Sequence, residues 1–240
     1  MTDQELVQLF TKKYDDAVKA DKALLALHRK SVVTYTDADK YAVKIGEHMA
    51  QAFSETVTEA GLTDGVITRK TASALFPKMT TGMDSIVGKY ARKAQATVNK
   101  RGGVGLNVLA HNHNTSRVNG LIEYAADRVY SEIQDKLGQT IVNYSQSVTT
   151  DTLKANAEAQ ERIGVKAVIV REYDGVGLHD GKDPCEWCMS RAGTWSYDEA
   201  NANGVFERHD GCGCTITYTI EGDDTQVQTD WRTNTWEYQS

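Results

Sequence analysis

A group of metal-binding residue types near the C-terminal end constrains this chain most. Two residues separate Cys185 from Cys188 and His209 from Cys212, and Cys214 lies two positions further on. All four cysteines of the 240-residue chain are in this stretch. Pairs at this spacing place two side chains on one tight turn, where both can bind the same ion, and a tetrahedral zinc site needs four such ligands. The stretch offers five and predicts a zinc-binding module.

Two other interpretations of the cysteines are small buried hydrophobic side chains and a pair of disulfides in an exported protein. Scattered core cysteines would not fall into two closely spaced pairs. The first residues lack the basic start and apolar stretch of a secretory signal, and a reducing compartment favours thiolate–metal bonds over disulfides. We therefore favour zinc. The preferred ligands are Cys185, Cys188 and Cys212, together with either His209 or Cys214.

Hydrophobic periodicity divides the chain into two parts. In residues 1–163, apolar side chains recur at helical spacing, and the whole chain contains only two prolines. From residue 164 the pattern changes, and the β-branched runs 166–173 and 215–220 predict strands. The predicted fold class is α+β, with a mostly α-helical N-terminal body (1–163) and a small C-terminal α+β zinc-binding domain (164–240).

The apolar stripes also predict individual helices within the body. One helix is expected from a cap at Thr2 to about Arg29, and a later one is expected to be broken or kinked at Pro77. A further stripe reaches Tyr144, and a separate last helix is expected from Thr150.

Charge is distributed unevenly along the chain. Residues 66–118 contain nine basic side chains and one acidic side chain, Asp84, whereas residues 164–240 contain six basic and 14 acidic ones. The basic region has two interpretations, a solvated helix face or a surface that contacts DNA phosphates or an acidic protein. The candidate nucleic-acid or partner contacts are Arg69, Lys70, Lys89, Arg92, Lys93, Lys100 and Arg101.

Two enzymatic interpretations of the Cys/His stretch are less well supported. Pro184, Cys185 and Cys188 match half of the nucleobase-deaminase signature, but the upstream His179 lacks the glutamate that this chemistry requires. An HNH-like nuclease at His209 would need a further histidine or asparagine for a second metal, and the available His179, Asn201 and Asn203 do not stand at a recognisable spacing. A thiolate-rich set with a surplus donor favours a structural zinc ion. We assign no catalytic residue and expect no enzymatic activity.

A second histidine pair, His111 and His113, has one asparagine between its members. On a helix, residues two apart point in different directions, and no carboxylate lies within several positions in the sequence. Exposed or helix-capping side chains are therefore expected here.

The glycines at 102, 103 and 105 lack the strand and the lysine of a phosphate-binding loop, which indicates a hinge or turn.

The Cys/His stretch resembles the closing motif of the phage Mu protein F-like head morphogenesis family. That motif commonly reads His-Pro-Asn-Cys-Arg-Cys, and here it reads His-Asp-Gly-Cys-Gly-Cys. Proline, asparagine and arginine are replaced, while every candidate ligand is kept. The resemblance covers roughly the thirty residues of the motif and its spacer, and it is carried by Cys185, Cys188, Gly193, Trp195, His209, Cys212 and Cys214.

The resemblance implies a minor capsid protein of a tailed bacteriophage, present in few copies near the portal vertex and acting in head assembly or genome delivery. It implies a helical N-terminal body, a virion location after synthesis in the host cytoplasm, and phage portal and capsid proteins as partners. Packaged DNA is a further expected partner through the basic region, and no membrane is expected. The alternative is a zinc-dependent, HNH-like nuclease or another DNA-processing enzyme of a mobile element.

Overall fold

The computed structural model describes residues 2–173, 175, 185–209 and 211–221. Its class is α+β with a helical body, as the sequence predicted. No helix in these ranges is both long and apolar enough to cross a membrane. The helices are α1 Asp3–Ala20, α2 Lys22–His28, α3 Tyr35–Glu59, α4 Arg69–Arg101, α5 Thr115–Ala125, α6 Tyr130–Glu161, α7 Glu186–Met189 and α8 Tyr197–Ala202. The strands are β1 Val66–Ile67, β2 Arg128–Val129, β3 Ala167–Glu172, β4 Gly193–Ser196 and β5 Thr215–Ile220, and a short 3-10 turn spans Thr63–Gly65.

Helices α3, α4 and α6 pack together and form the body. A capping box begins α3. The side chain of Thr34 accepts a hydrogen bond from the backbone N–H of Asp37, and the carboxylate of Asp37 accepts one from the backbone N–H of Thr34. The apolar faces meet inside, where the rings of Phe53 and Phe76 stack with centroids 5.1 Å apart. Burial of these faces stabilises the long helices more than their intrinsic propensity does.

The predicted helix from Thr2 to Arg29 is wrong, because the chain breaks at Asp21. Asp21 has an extended backbone (φ −81°, ψ 97°), and its side chain caps α2 by accepting the N–H of Leu24 at 2.9 Å. Of the break or kink predicted at Pro77, the break is wrong, since α4 continues through it, and the kink stays a prediction. Pro77 is exposed, so water can hydrogen-bond to the carbonyl that the missing proline N–H leaves free.

Helix α6 is continuous across the predicted gap between Tyr144 and Thr150. The break lies earlier, at Asp127, whose φ of 60° ends α5 and leads into β2. The polar run in the gap is buried, and its side chains other than that of Thr149 are hydrogen-bonded. The hydroxyl of Ser145 donates to a backbone carbonyl of α3 at 2.6 Å, and that of Ser147 donates back to its own helix at 2.7 Å. Tertiary partners therefore stabilise a stretch whose composition disfavours a helix.

A three-stranded antiparallel sheet forms the C-terminal part, with β3 between β4 and β5. Ile169 is paired with Trp195 on one side and Tyr218 on the other. Side chains alternate along a strand, so Ala167, Ile169 and Arg171 share one face of β3. All three are buried, and Arg171 thereby points inwards near the cysteines. Strands β3 and β5 confirm the two predicted strands, whereas β4 was not predicted.

The apolar side chains of this sheet pack into the same core as the helices. The ring of Tyr218 meets that of Tyr35 edge-on at 6.4 Å, and its hydroxyl hydrogen-bonds to Gln160 of α6. A Cβ at Gly102 would lie 2.1 Å from Ile220, so the end of α4 fits closely against β5. The division into residues 1–163 and 164–240 stays a prediction, and the two parts are joined by extensive packing.

Candidate metal centre

The first pair of cysteines lies at the start of α7. Cys185 is the N-cap of this short helix, and its Sγ accepts the backbone N–H of Cys188 at 3.4 Å. The backbone N–H of Cys185 donates to the hydroxyl of Tyr173 at 3.0 Å, which joins the turn to the end of β3. The turn and its anchor direct both sulfurs to the same side.

The second pair lies on a turn before β5. The backbone N–H of Cys212 donates to the carbonyl of His209 at 3.1 Å, and Gly211 between them has φ 73°, a left-handed conformation that favours glycine. Asn143 of α6 donates to the same His209 carbonyl at 2.5 Å. The body of the protein therefore holds this turn in place from outside.

The two turns bring all five predicted donors together, in two overlapping groups. Cys185, Cys188 and His209 form one group, and Cys188, Cys212 and Cys214 form the other, with ligand atoms within 4.8 Å of one another in each. Cys188 belongs to both groups. Within the described residues, these groups show that a metal ion could be held here.

One separation between donors agrees with tetrahedral zinc coordination, and two others are slightly shorter. The sulfurs of Cys188 and Cys212 are 3.8 Å apart, and two sulfurs at a Zn–S length of about 2.3 Å in a tetrahedron are separated by about 3.8 Å. The Nε2 atom of His209 lies 2.9 Å from the sulfur of Cys188 and 3.3 Å from that of Cys185. These contacts are somewhat shorter than a coordinated N and S require, and a bound ion would hold them slightly apart.

A buried arginine, which the sequence analysis did not single out, supports both turns. One terminal nitrogen of Arg171, Nη1, donates to the carbonyls of Val205 and Glu207 at 2.7 and 2.6 Å. The other, Nη2, lies 3.4 Å from the sulfur of Cys212 and 3.8 Å from that of Cys188. Its positive charge offsets the negative charge that a thiolate-rich site accumulates.

Trp187 contacts two guanidinium groups beside the cluster. The guanidinium of Arg191 is 4.0 Å from the ring centroid and that of Arg171 is 5.0 Å away, which is within the range of cation–π attraction. The ring also meets His209 edge-on, with centroids 5.2 Å apart. The aromatic side chain thus covers the histidine and orders the second arginine.

A second buried arginine connects the cluster to the helical body. Arg208 donates to the carbonyl of Cys214 through Nη1 at 2.7 Å and to Oδ1 of Asp39, on α3, through Nη2 at 2.9 Å. Burial raises the pKa of Asp39, although the Arg208 charge opposes that shift. The position of the Cys214 backbone is therefore fixed from a helix far away in the sequence.

The cysteines differ in their tendency to ionise before any ion binds. A hydrogen bond from Cys214, with the nearby charges of Arg208 and Arg171, lowers the pKa of Cys212 to about 4. Burial and the negative charge of Cys212 raise the pKa of Cys188 to about 12. The hydrogen bond to Cys212 raises the pKa of Cys214 far above its usual range. Metal binding therefore requires further thiols to lose their protons, as is usual for thiolate sites.

The predicted basic residues lie on α4, in two groups. The first group is compensated by acidic side chains, because Arg69 makes a two-pronged ion pair with Glu123 of α5 and Lys70 Nζ lies 3.4 Å from a carboxylate oxygen of Asp3. Their charge is therefore partly neutralised within the protein.

The second group is uncompensated in the described part of the chain. There, Lys89, Arg92, Lys93, Lys100 and Arg101 have no carboxylate oxygen within 4.0 Å of their charged nitrogens. Lys89, Lys93 and Lys100 are exposed and recur at intervals of four and seven residues, which places them on one face of α4. The five residues Lys89, Arg92, Lys93, Lys100 and Arg101 are called the α4 basic face below.

Two residues of the enzymatic interpretations, His179 and Pro184, lie outside the described residues, so these interpretations are not tested there. Asn203 ends α8, where its side chain donates to the carbonyl of Glu199 at 2.8 Å, a local capping contact. Comparison of the chain with protein-family models, curated proteins and solved structures finds no match. The family resemblance therefore stays an expectation from the motif.

Proposed function

We propose that this chain is a bacteriophage minor capsid or head morphogenesis protein, a structural virion component near the portal vertex that acts in head assembly or genome delivery. The observation that carries the proposal is the meeting of both halves of the phage-like motif in one buried cluster beside a long helical body. All four cysteines are buried, between 0% and 4% exposed. The motif therefore has the geometry of a folding unit.

A structural role for zinc is supported by the groups that surround the cluster. A hydrolytic zinc ion keeps an open position for water and a nearby acid or base. Among the described residues, the side chains that hydrogen-bond to this cluster include the guanidinium groups of Arg171 and Arg208, and arginine is not a usual general acid or base. Zinc at this position would hold the C-terminal sheet and the two turns together.

The α4 basic face supports a docking role for the helical body. The acid nearest to it in sequence, Asp84, directs its carboxylate at two histidines and a tyrosine, so its negative charge is engaged elsewhere. An exposed cationic face of this kind attracts DNA phosphates or an acidic protein surface, and the attraction weakens as salt screens it.

Assembly of phage heads in cells that express this chain with portal and capsid genes would test the proposal. The variant combines Lys89→Glu, Arg92→Glu and Lys93→Glu, and the matched control makes the same charge change at Lys19, Lys22 and Lys40, which are exposed elsewhere. We expect the wild type and the control to be incorporated into particles. The α4 variant should be largely absent from particles at unchanged folding and zinc content.

Two results would contradict the proposal. One is equal incorporation of the α4 variant and the control. The other is metal-dependent cleavage of DNA by purified wild-type protein that is abolished by His209→Ala, because this would favour the nuclease alternative.

A further inference from the structure

The histidine pair at 111 and 113 is not helical, contrary to the premise of its sequence interpretation. Residues 104–114, between α4 and α5, form neither helix nor strand. Residues two apart in an extended segment point to the same side. His111 and His113 both reach Asp84, a carboxylate 27 and 29 positions earlier on α4. The partner carboxylate is therefore distant in the sequence and close only in the fold.

Each histidine contacts a different oxygen of the carboxylate. Nε2 of His111 lies 3.0 Å from Oδ1 of Asp84, and Nδ1 of His113 is in close contact with Oδ2. The hydroxyl of Tyr144, on α6, donates to the same carboxylate at 3.1 and 3.3 Å. Burial opposes ionisation of Asp84, but these hydrogen bonds and the His111 charge lower its pKa overall.

The position of His111 depends on a glycine in the middle of α4. A Cβ at Gly88 would lie 2.9 Å from Cε1 of His111 and 3.0 Å from Nδ1, so only glycine leaves room for this ring. The side chain of His111 is 7% exposed, and its Nδ1 has no hydrogen-bond partner among the described residues. Its hydrogen bonding is therefore directed through Nε2 to Asp84.

We propose that Asp84, His111 and His113 form a second metal site, which takes a divalent first-row transition ion. Two imidazole nitrogens and one carboxylate are ligands that suit ions such as Zn²⁺, Co²⁺, Ni²⁺ or Fe²⁺, whereas Mg²⁺ and Ca²⁺ prefer oxygen-only sets. Tyr144 acts on this site from outside the ligand set, because it orients the carboxylate.

The two histidines contribute to the site in different ways. His111 is packed in place, whereas His113 is 44% exposed and gives an ion access from solvent. The donor atoms do not all lie within 4.8 Å of one another, unlike those of the cysteine groups. Binding therefore requires the exposed His113 ring to move towards an ion that Asp84 and His111 hold.

Helix α6 contacts both metal centres through neighbouring residues. Asn143 donates to the carbonyl of His209, and the next residue, Tyr144, donates to Asp84. The donor sets of the two centres have no residue in common, so removal of a ligand from one leaves the other set complete.

Equilibrium dialysis of tag-free protein against Co²⁺, followed by elemental analysis of all bound metal, tests the second site. The variants are His113→Ala, which removes an exposed ligand, and Gly88→Ala, which displaces His111 without changing any donor. The control is His48→Gln, because Nε2 of His48 also lies 3.0 Å from a carboxylate, that of Asp21, but shares it with Lys44 rather than with a second histidine.

We expect about two metal ions per chain in the wild type and the control, and about one in the variants, whose second-site affinity should fall by about tenfold or more. Only an ion in the cysteine cluster should show a thiolate-to-cobalt charge-transfer band, so failure of that cluster is recognised separately. Two results would overturn the proposal. One is wild-type protein whose bound cobalt is all in the cysteine cluster, as the charge-transfer band shows. The other is His113→Ala protein that keeps a second ion at unchanged affinity.

Discussion

Arg208 and Asp39 form a buried ion pair across 169 residues of sequence, with Nη2 and Oδ1 2.9 Å apart. The two side chains are only 4% and 5% exposed. Because Arg208 also donates to the carbonyl of Cys214, the pair joins the metal-binding turn to α3. The turn is thus positioned both by its own ligands and by the helical body.

Removal of one member of this pair should be costly. Asp39→Leu leaves the Arg208 charge buried without its partner, and we expect the free energy of unfolding to fall by about 3–5 kcal/mol. Urea denaturation measures this change. Asp16→Asn, which breaks an exposed pair with Lys12, should cost less than about 1 kcal/mol. A loss of that small size for Asp39→Leu would show that the buried pair contributes little.

Cys188 should be the least replaceable ligand, because it alone belongs to both donor groups. Cys188→Ser is expected to abolish zinc retention during dialysis, whereas Cys214→Ser should retain more zinc. Loss of the ion should lower the melting temperature while most of the far-UV helical signal remains, since the long helices do not provide the ligands. Equal zinc retention in the two variants would contradict the central position of Cys188.

His209 and Cys214 compete for the fourth position in the predicted ligand set. If one ion binds four fixed ligands, His209→Ala and Cys214→Ala should differ, with a severe loss of zinc affinity in one and a mild loss in the other. Competition with a chromophoric chelator measures both affinities. Two mild losses would be incompatible with a fixed set of four ligands.

Asp21 should make the stability of the protein depend on pH. A hydrogen bond from the N–H of Leu24, supported by Lys44 and His48, lowers the pKa of Asp21 well below its usual range. A folded-state pKa below the unfolded value of about 3.9 stabilises the fold at neutral pH, and this contribution is lost as the pH falls towards the folded value.

Asp21→Asn isolates this contribution, because asparagine can still cap α2 but has no charge. The wild type should be more stable than the variant at pH 7. The difference should shrink as the pH falls from about 5 to about 2. Urea denaturation at several pH values gives the two stability curves, and a difference that does not change with pH would exclude Asp21 as its source.

Local sequence patterns predicted the features that depend on local chemistry. The strands β3 and β5 follow from their β-branched runs, and the ligand turns follow from the spacing of Cys185–Cys188 and His209–Cys212. The course of α6 could not be predicted in this way. The hydrogen bond from Ser145 that supports its middle goes to another helix, α3.

Local sequence patterns also could not predict the residues that support the site. Arg171 lies in a strand whose β-branched neighbours predict only a buried face, and nothing in that pattern shows that its guanidinium meets two sulfurs. The partner of His111 and His113 is similarly distant, because Asp84 approaches them only once α4 and the following segment have packed. Such contacts arise from tertiary packing.

The metal content of the purified chain decides whether a zinc ion binds among the five donors. Elemental analysis and native mass spectrometry of tag-free His113→Ala protein, which lacks a ligand of the second site, should give about one zinc ion per chain, lost in Cys188→Ser. The bound ion should protect the cysteines from thiol reagents until a chelator removes it. Metal-free protein after zinc-supplemented expression, with an unchanged melting profile when zinc is added, would show that these donors do not form a zinc centre.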